Sequence, residues 1–160
     1  KFRNLKVLNF DKCEFLTEIP DVSDLPNLEE LSFDRCGNLI TVHPSIGFLN
    51  KLKILSACHC IKLTTFPPLN LTYLQRLQLS HCFSLQNFPE ILGEMKNLHL
   101  LFLRDVPLKE LPVSFQNLVG LKSLYLYNCR IGWLPSSIAV KPKLSLTAKN
   151  SKGWEWSKSP

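Results

Sequence analysis

Two short runs carry the residue types of metal and nucleophile chemistry: Cys58-His59-Cys60 and, further on, His81-Cys82. Thiolates and imidazoles are zinc ligands, and a cysteine beside a histidine can form a thiol nucleophile with its base. Either chemistry requires the side chains to converge, with a further group to complete the coordination or to orient the base. The chain holds six cysteines in all, an even number that also admits a disulfide framework, and a net charge of +6 that raises nucleic acid as a partner. The elements that position these residues decide among the four readings.

With 160 residues, 45% of them hydrophobic and 20% charged, the chain is long enough to bury a core and too apolar to be disordered. No apolar run approaches the roughly 18 residues of a membrane-spanning helix. The opening Lys1-Phe2-Arg3-Asn4-Leu5-Lys6 lacks the apolar stretch of a signal peptide. A lysine in first place, with the sole methionine at Met95, suggests a piece of something longer.

An internal repeat organises the chain. The pattern Leu-x-x-Leu-x-Leu starts at Leu5, Leu28, Leu52, Leu74, Leu98 and Leu121, with a degenerate seventh start at Leu144, so the periods are 23, 24, 22, 24, 23 and 23 residues. Counting each leader as position one, apolar residues recur at the fourth and sixth positions, as in Leu8 and Phe10, Leu77 and Leu79, or Leu124 and Leu126. The ninth position reads Cys13, Cys36, Cys60, Cys82, Val106, Cys129. This is a leucine-rich repeat with one short strand per unit. The fold class is an α/β solenoid: a horseshoe arc with a parallel concave β-sheet and a convex face of irregular, 3₁₀ or short helical segments. Six strands at about 4.8 Å apart give an arc on the order of 30 Å.

Alternation places the leucines of each strand on one side and the intervening residues on the other. A single strand cannot bury that apolar edge, so units stack around a shared core. A proline then follows the next apolar pair, as at Ile19-Pro20, Phe66-Pro67, Phe88-Pro89, Leu111-Pro112 and Leu134-Pro135. It ends strand pairing and sends the chain to the outer face. There Pro44-Ser45-Ile46, Pro89-Glu90-Ile91 and Pro112-Val113-Ser114 favour short helical or 3₁₀ turns, with Ile46 and Leu49, or Ile91 and Met95, facing inward.

The repeat reassigns the cysteines. Cys13, Cys36, Cys60, Cys82 and Cys129 occupy one inward-facing column with parallel side chains, which points to free buried thiols in a reducing compartment and against disulfides. Cys58 falls on the exposed side of the third strand. His59 and His81 project outward as solvated histidines, away from the inward Cys60 and Cys82, so the zinc reading weakens and no metal is expected. The charge also resolves by position: residues 141–160 carry a net +4, residues 1–36 a net −3 and residues 37–140 a net +5. Such a graded field suits an asymmetric protein partner better than nucleic acid.

Function in such a solenoid lies on the concave strand face. Its fifth positions are Asn9, Ser32, Ser56, Gln78, Phe102 and Tyr125. The face begins small and charged, passes through His59 and His81, and ends aromatic. Phe102, Tyr125 and Tyr127, beside Arg104 and Lys122, form the expected hot spot, since exposed aromatics next to arginine are enriched where binding energy concentrates. Arg76, His59 and His81 complete the expected contact surface. Beyond Leu144, the segment 145–160 is expected to be a degenerate repeat or a frayed basic tail, although Trp154 and Trp156 could instead cap the core.

The phrases Pro44-Ser45-Ile46-Gly47-x-Leu49-x-x-Leu52-Lys53-x-Leu55, Phe88-Pro89-Glu90-Ile91-Leu92-Gly93-x-Met95 and Leu134-Pro135-Ser136-Ser137-Ile138, with cysteine in the ladder, resemble plant intracellular disease-resistance proteins over residues 5 to 144. The resemblance is to the leucine-rich repeats of the subclass that also carries a Toll/interleukin-1-receptor-type domain and a nucleotide-binding domain. It implies an interaction module of the cytoplasm or nucleus that recognises a pathogen effector or a guarded host protein. It also implies restraint of the nucleotide-binding switch, with no cofactor and no catalysis in this stretch. The runner-up with the same fold is an extracellular receptor ectodomain. Against it stand a single glycosylation sequon, Asn70-Leu71-Thr72, and the cysteine ladder. An enzyme would have to be built from Cys58, His59 and His81.

Overall fold

A computed structural model describes residues 2–160. Each repeat places a short strand in register with its neighbour: β1 (Val7–Asn9), β3 (Glu30–Ser32), β5 (Ile54–Ser56) and β6 (Arg76–Gln78) form one parallel sheet. A second sheet contains β7 (Leu100–Arg104), β8 (Ser123–Cys129) and β9 (Ser145–Asn150), all parallel, with β10 (Glu155–Lys158) antiparallel on β9. The fourth-position leucines align across each sheet, Leu8 with Leu31, Leu55 and Leu77, then Leu101 with Leu124 and Leu146. A small lateral pair, β2 (Glu18–Ile19) with β4 (Thr41–Val42), flanks the first sheet.

The core is one continuous apolar cluster running from Ile19 to Ala148 through both sheets. Leaders Leu28, Leu52, Leu74 and Leu98 are fully buried, as are Leu31, Leu55, Leu101 and Leu124 at the fourth position. On the outer side, 3₁₀ turns form at Pro44–Phe48 and Val113–Asn117, and a single helical turn, α1, at Ser136–Ala139. Pro89–Met95, also expected to turn helically, does not. Its Ile91 pairs instead with Leu69 in an isolated parallel bridge, so proline does not end all pairing on this side, yet Ile91 and Met95 still point inward. Successive units approach so closely here that a β-carbon on Gly47 would meet the Pro68 carbonyl at 2.0 Å, and one on Gly120 the Lys96 carbonyl at 2.1 Å.

The ninth-position cysteines act as hydrogen-bond donors between units. Cys36 Sγ donates to the Phe10 carbonyl (3.2 Å), Cys60 to Phe33 (3.1 Å) and Cys82 to Ala57 (3.0 Å), in each case the sixth residue of the preceding unit. All six thiols are free. Burial pushes the Cys36 thiol up to about 11, and the neighbouring Cys82 thiol together with burial holds Cys60 far above the usual range. Cys13 departs from the expected buried column. It is exposed, because no unit packs on the outer side of the first repeat among the described residues.

Of the two expectations for the segment beyond Leu144, a degenerate repeat or a frayed tail, its strands follow the first. Leu144, Leu146 and Ala148 are buried, so β9 is the strand of a seventh unit. The chain then reverses at Gly153, whose φ of +90° suits glycine, and β10 lays Trp156 beside Ala148. Asn150 Oδ1 accepts from the Lys152 and Trp154 backbone N–H groups, which fixes the reversal. Trp154 and Trp156 pack partly buried against the core. The tryptophans therefore cover part of the core beside β9.

Between β6 and β7 the strand ladder lapses. Elsewhere the leading N–H groups bond to the preceding strand, as Glu30 does to Lys6 and Ser123 to His99. At this boundary, among the described residues, the one backbone bond in the strand region is His81 N–H to the Arg104 carbonyl (2.8 Å). The Ser80 hydroxyl stands between the strands, accepting from Arg104 N–H (3.2 Å) and donating to the Phe102 carbonyl (3.4 Å). Val106, the one ladder residue without a thiol, lies in the same boundary unit.

Candidate functional site

The concave face is built from the third, fifth, seventh and eighth positions. The eighth forms a column of left-handed residues: Lys12, Arg35, His59, His81, Asp105 and Asn128 all have φ between 57° and 64°. Asp, Asn and His tolerate this conformation, but Lys and Arg adopt it at a cost. The compensation repeats with the turn. The N–H of Lys12, Arg35, His59, His81 and Asp105 each donates to the seventh-position carbonyl of the next unit, at 2.8 to 3.0 Å.

In the first three units the polar side chains are taken up internally. Asp11 Oδ1 accepts from Ser32 Oγ (2.5 Å) and Asp34 N–H (2.7 Å); Asp34 Oδ1 accepts from Ser56 Oγ (2.6 Å) and Cys58 N–H (2.8 Å). Ser56 is buried, and its oxygen also lies 3.1 Å from the Gln78 carboxamide. Sequence reading missed this ladder; its signal was the recurrence of Ser at the fifth position one unit after Asp at the seventh.

His59 and His81 are half-buried, not freely solvated as expected. Their rings stack 4.3 Å apart at 17°, and His81 Nδ1 lies 3.0 Å from Asp105 Oδ2. Asn128 Nδ2 donates to the other Asp105 oxygen (2.6 Å), so the edge column continues through four units. Burial, then the charges of His81 and Arg35, hold the His59 imidazole below its usual range. Stacking brings the imidazole faces together rather than converging their nitrogens. Cys58, half-buried rather than on the exposed side, has its thiol raised by burial and by the Asp34 carboxylate. That is the reverse of what activates a thiol nucleophile. Among the described residues no group of three or more His, Cys, Asp or Glu could hold a metal ion.

In the second sheet the same columns turn aromatic. Phe102 is 43% exposed, with Tyr125 at 6.2 Å and Tyr127 at 5.6 Å between ring centroids, while the two tyrosine rings lie parallel within 4°. The Arg104 guanidinium stands over Tyr127 at 5.4 Å and over Phe102 at 6.0 Å, within the range of cation–π attraction. The structure thus gathers Phe102, Arg104, Tyr125 and Tyr127 into one cluster. Lys122 is exposed at its lower edge, just before β8, and Arg76 is exposed on β6 across the interrupted boundary. Leu100, 52% exposed at the third position of β7, joins this face and was not foreseen; the alternation along β7 was its only signal.

A family model described as "Disease resistance protein RPS4B-like, leucine-rich repeats" matches residues 70–150. The chain belongs to this family. Over 90% of its length it is 35% identical to TMV resistance protein N of Nicotiana glutinosa, and over 82% it is 35% identical to disease resistance protein RPP2A of Arabidopsis thaliana. Disease resistance protein RPS6 of Arabidopsis thaliana is 32% identical over 89% of the chain. The chain spans between 10 and 13% of the length of these relatives. It is a leucine-rich-repeat stretch of the plant disease-resistance type, a fold that mediates protein interactions. Among the described residues no helix is long and apolar enough to cross a membrane.

Proposed function

We propose that this chain is the recognition surface of an intracellular plant immune receptor of the Toll/interleukin-1-receptor-type, nucleotide-binding class. Its concave face receives a pathogen effector or a guarded host protein, and in the resting receptor it contributes to holding the nucleotide-binding switch inactive. Cytoplasm, with access to the nucleus, is the compartment this reading requires, and buried free thiols accord with it. The observation that carries the reading is the cluster of exposed Phe102 with half-buried Tyr125 and Tyr127 under Arg104. These rings are preorganised against one another, so a partner orders few additional side chains on docking.

The test replaces Phe102, Tyr125 and Tyr127 by Ala in the full-length receptor. Proteins retained by the native receptor from challenged leaf tissue should be lost, with accumulation and thermal melting unchanged. Equal retention by the triple variant sinks the assignment of the surface. The restraint is read separately, as cell death without challenge when the repeats are deleted.

A further inference from the structure

A second surface lies away from the concave face, on the flank where each strand's chain returns after the ladder turn. There the repeated x-x-apolar-Pro phrase of units three to six opens a groove with a volume of about 490 Å³. Its floor is formed by the nearly buried Phe66, Phe88 and Leu111, and its far end by Trp133 and Val113, which are 61% and 83% exposed. Tryptophan is among the residues most enriched where partners anchor, and here one stands in solvent at the end of a groove with an apolar floor and polar walls.

The electrostatics identify the occupant. Glu90 and Glu110 line the groove and no Lys or Arg does, although the protein as a whole carries +6. Glu90 is steadied by the Ser114 hydroxyl, which itself accepts from Ile91 N–H (3.0 Å). Glu110 is exposed and, among the described residues, makes no ion pair or hydrogen bond. A groove crossing four units at about 4.8 Å per unit is about 14 Å long, enough for about four residues of extended chain. We infer that this flank binds an extended cationic segment of a partner protein, whose aliphatic or proline residues lie on the Phe66, Phe88 and Leu111 floor and whose Lys or Arg side chains meet Glu110, Glu90 and the face of Trp133. Arginine over an indole is the most favourable cation–π pair, and exposed proline and tryptophan surfaces suit an extended backbone without internal hydrogen bonds.

The test uses the 160-residue chain and a displayed random library of 12-residue peptides, with the best-selected sequence then synthesised and its affinity read by fluorescence anisotropy. Selected peptides should be enriched in Lys and Arg beside aliphatic residues or proline. Their affinity should fall about tenfold or more with Glu110→Lys and with Trp133→Ala, and should not change with Tyr125→Ala on the concave face. Glu110 is exposed and unpaired, so Glu110→Lys decides the matter even if Trp133→Ala perturbs the fold. Selection of acidic or neutral peptides, indifference to Glu110→Lys, or loss of binding with Tyr125→Ala would each overturn the proposal.

Discussion

The two sheets of the concave face treat the same positions in opposite ways. In the first, the seventh-position carboxylates of Asp11 and Asp34 accept the hydroxyl and backbone N–H of the following unit. In the second, the seventh positions are Arg104 and Tyr127, whose charged and aromatic groups meet one another and solvent. A hydrogen-bonded ladder holds units together but offers few groups to a partner. An aromatic cluster does the reverse. The face therefore divides into a stretch that stiffens the arc and a stretch equipped to bind, and the division falls where the strand ladder lapses between β6 and β7.

The harshest trial of that division is a core truncation on either side of it. Leu77→Ala and Leu124→Ala each remove a fully packed fourth-position leucine, at an expected cost of about 2 to 5 kcal/mol. Because the apolar cluster runs unbroken past the boundary, each variant should unfold in a single denaturant transition shifted to lower concentration. Two separate transitions in Leu77→Ala, one of them at the native midpoint, would mean that the sheets are independent folding units.

A smaller and more selective contrast sets Asp34→Ala against Tyr125→Ala. Removing Asp34 leaves Cys58 N–H without its acceptor and the buried Ser56 hydroxyl with Gln78 alone, a loss of about 1 to 3 kcal/mol visible in urea unfolding. Tyr125→Ala should cost less stability and more binding. If Asp34→Ala instead weakened partner capture while leaving the unfolding midpoint in place, the assignment of stiffening and binding to different halves would be reversed.

How much of this could be read from the residues follows from what repeats. The leaders at Leu28, Leu52, Leu74 and Leu98, the inward column of Cys36, Cys60 and Cys82, and the outward Phe102, Tyr125 and Tyr127 were all legible, because a fixed period combined with strand alternation determines facing. The tail was only half legible for the same reason: Leu144, Leu146 and Ala148 keep the period and mark a degenerate repeat, but β10 runs antiparallel and has no counterpart in any other unit. The left-handed column escaped notice because Lys12 and Arg35 are poor predictors of positive φ, and the bonds that compensate it join residues a whole unit apart. The lapse between β6 and β7 had one trace in the sequence, Val106 in a column of cysteines.

That valine permits a gentler intervention. In the register of the column, a thiol at position 106 would face the Leu79 carbonyl, as Cys82 faces Ala57. Val106→Cys should restore one interunit hydrogen bond, worth about 0.5 to 1.5 kcal/mol less the methyl packing it removes. Amide exchange should slow at Leu79 and Leu103 beside the boundary. Exchange unchanged there, with the protein otherwise folded, would show that the lapse originates in Ser80 and not in the missing donor.

The least effect is expected at the edge column that bridges both sheets. Burial and the charges of His81 and Arg35 hold His59 below its usual range, so between the two values the unfolded chain binds more protons than the folded one, and stability rises with pH. The contribution is therefore complete above the unfolded histidine value of about 6.5 and is lost as pH falls through the lower, folded value. His59→Asn keeps a residue that tolerates positive φ and removes the titration. Unfolding midpoints measured from pH 7.5 down to 5 should decline slightly more in the native chain than in His59→Asn. Parallel profiles would mean that the histidine stack does not register protonation, leaving the His81–Asp105 contact to act across the boundary as a fixed link.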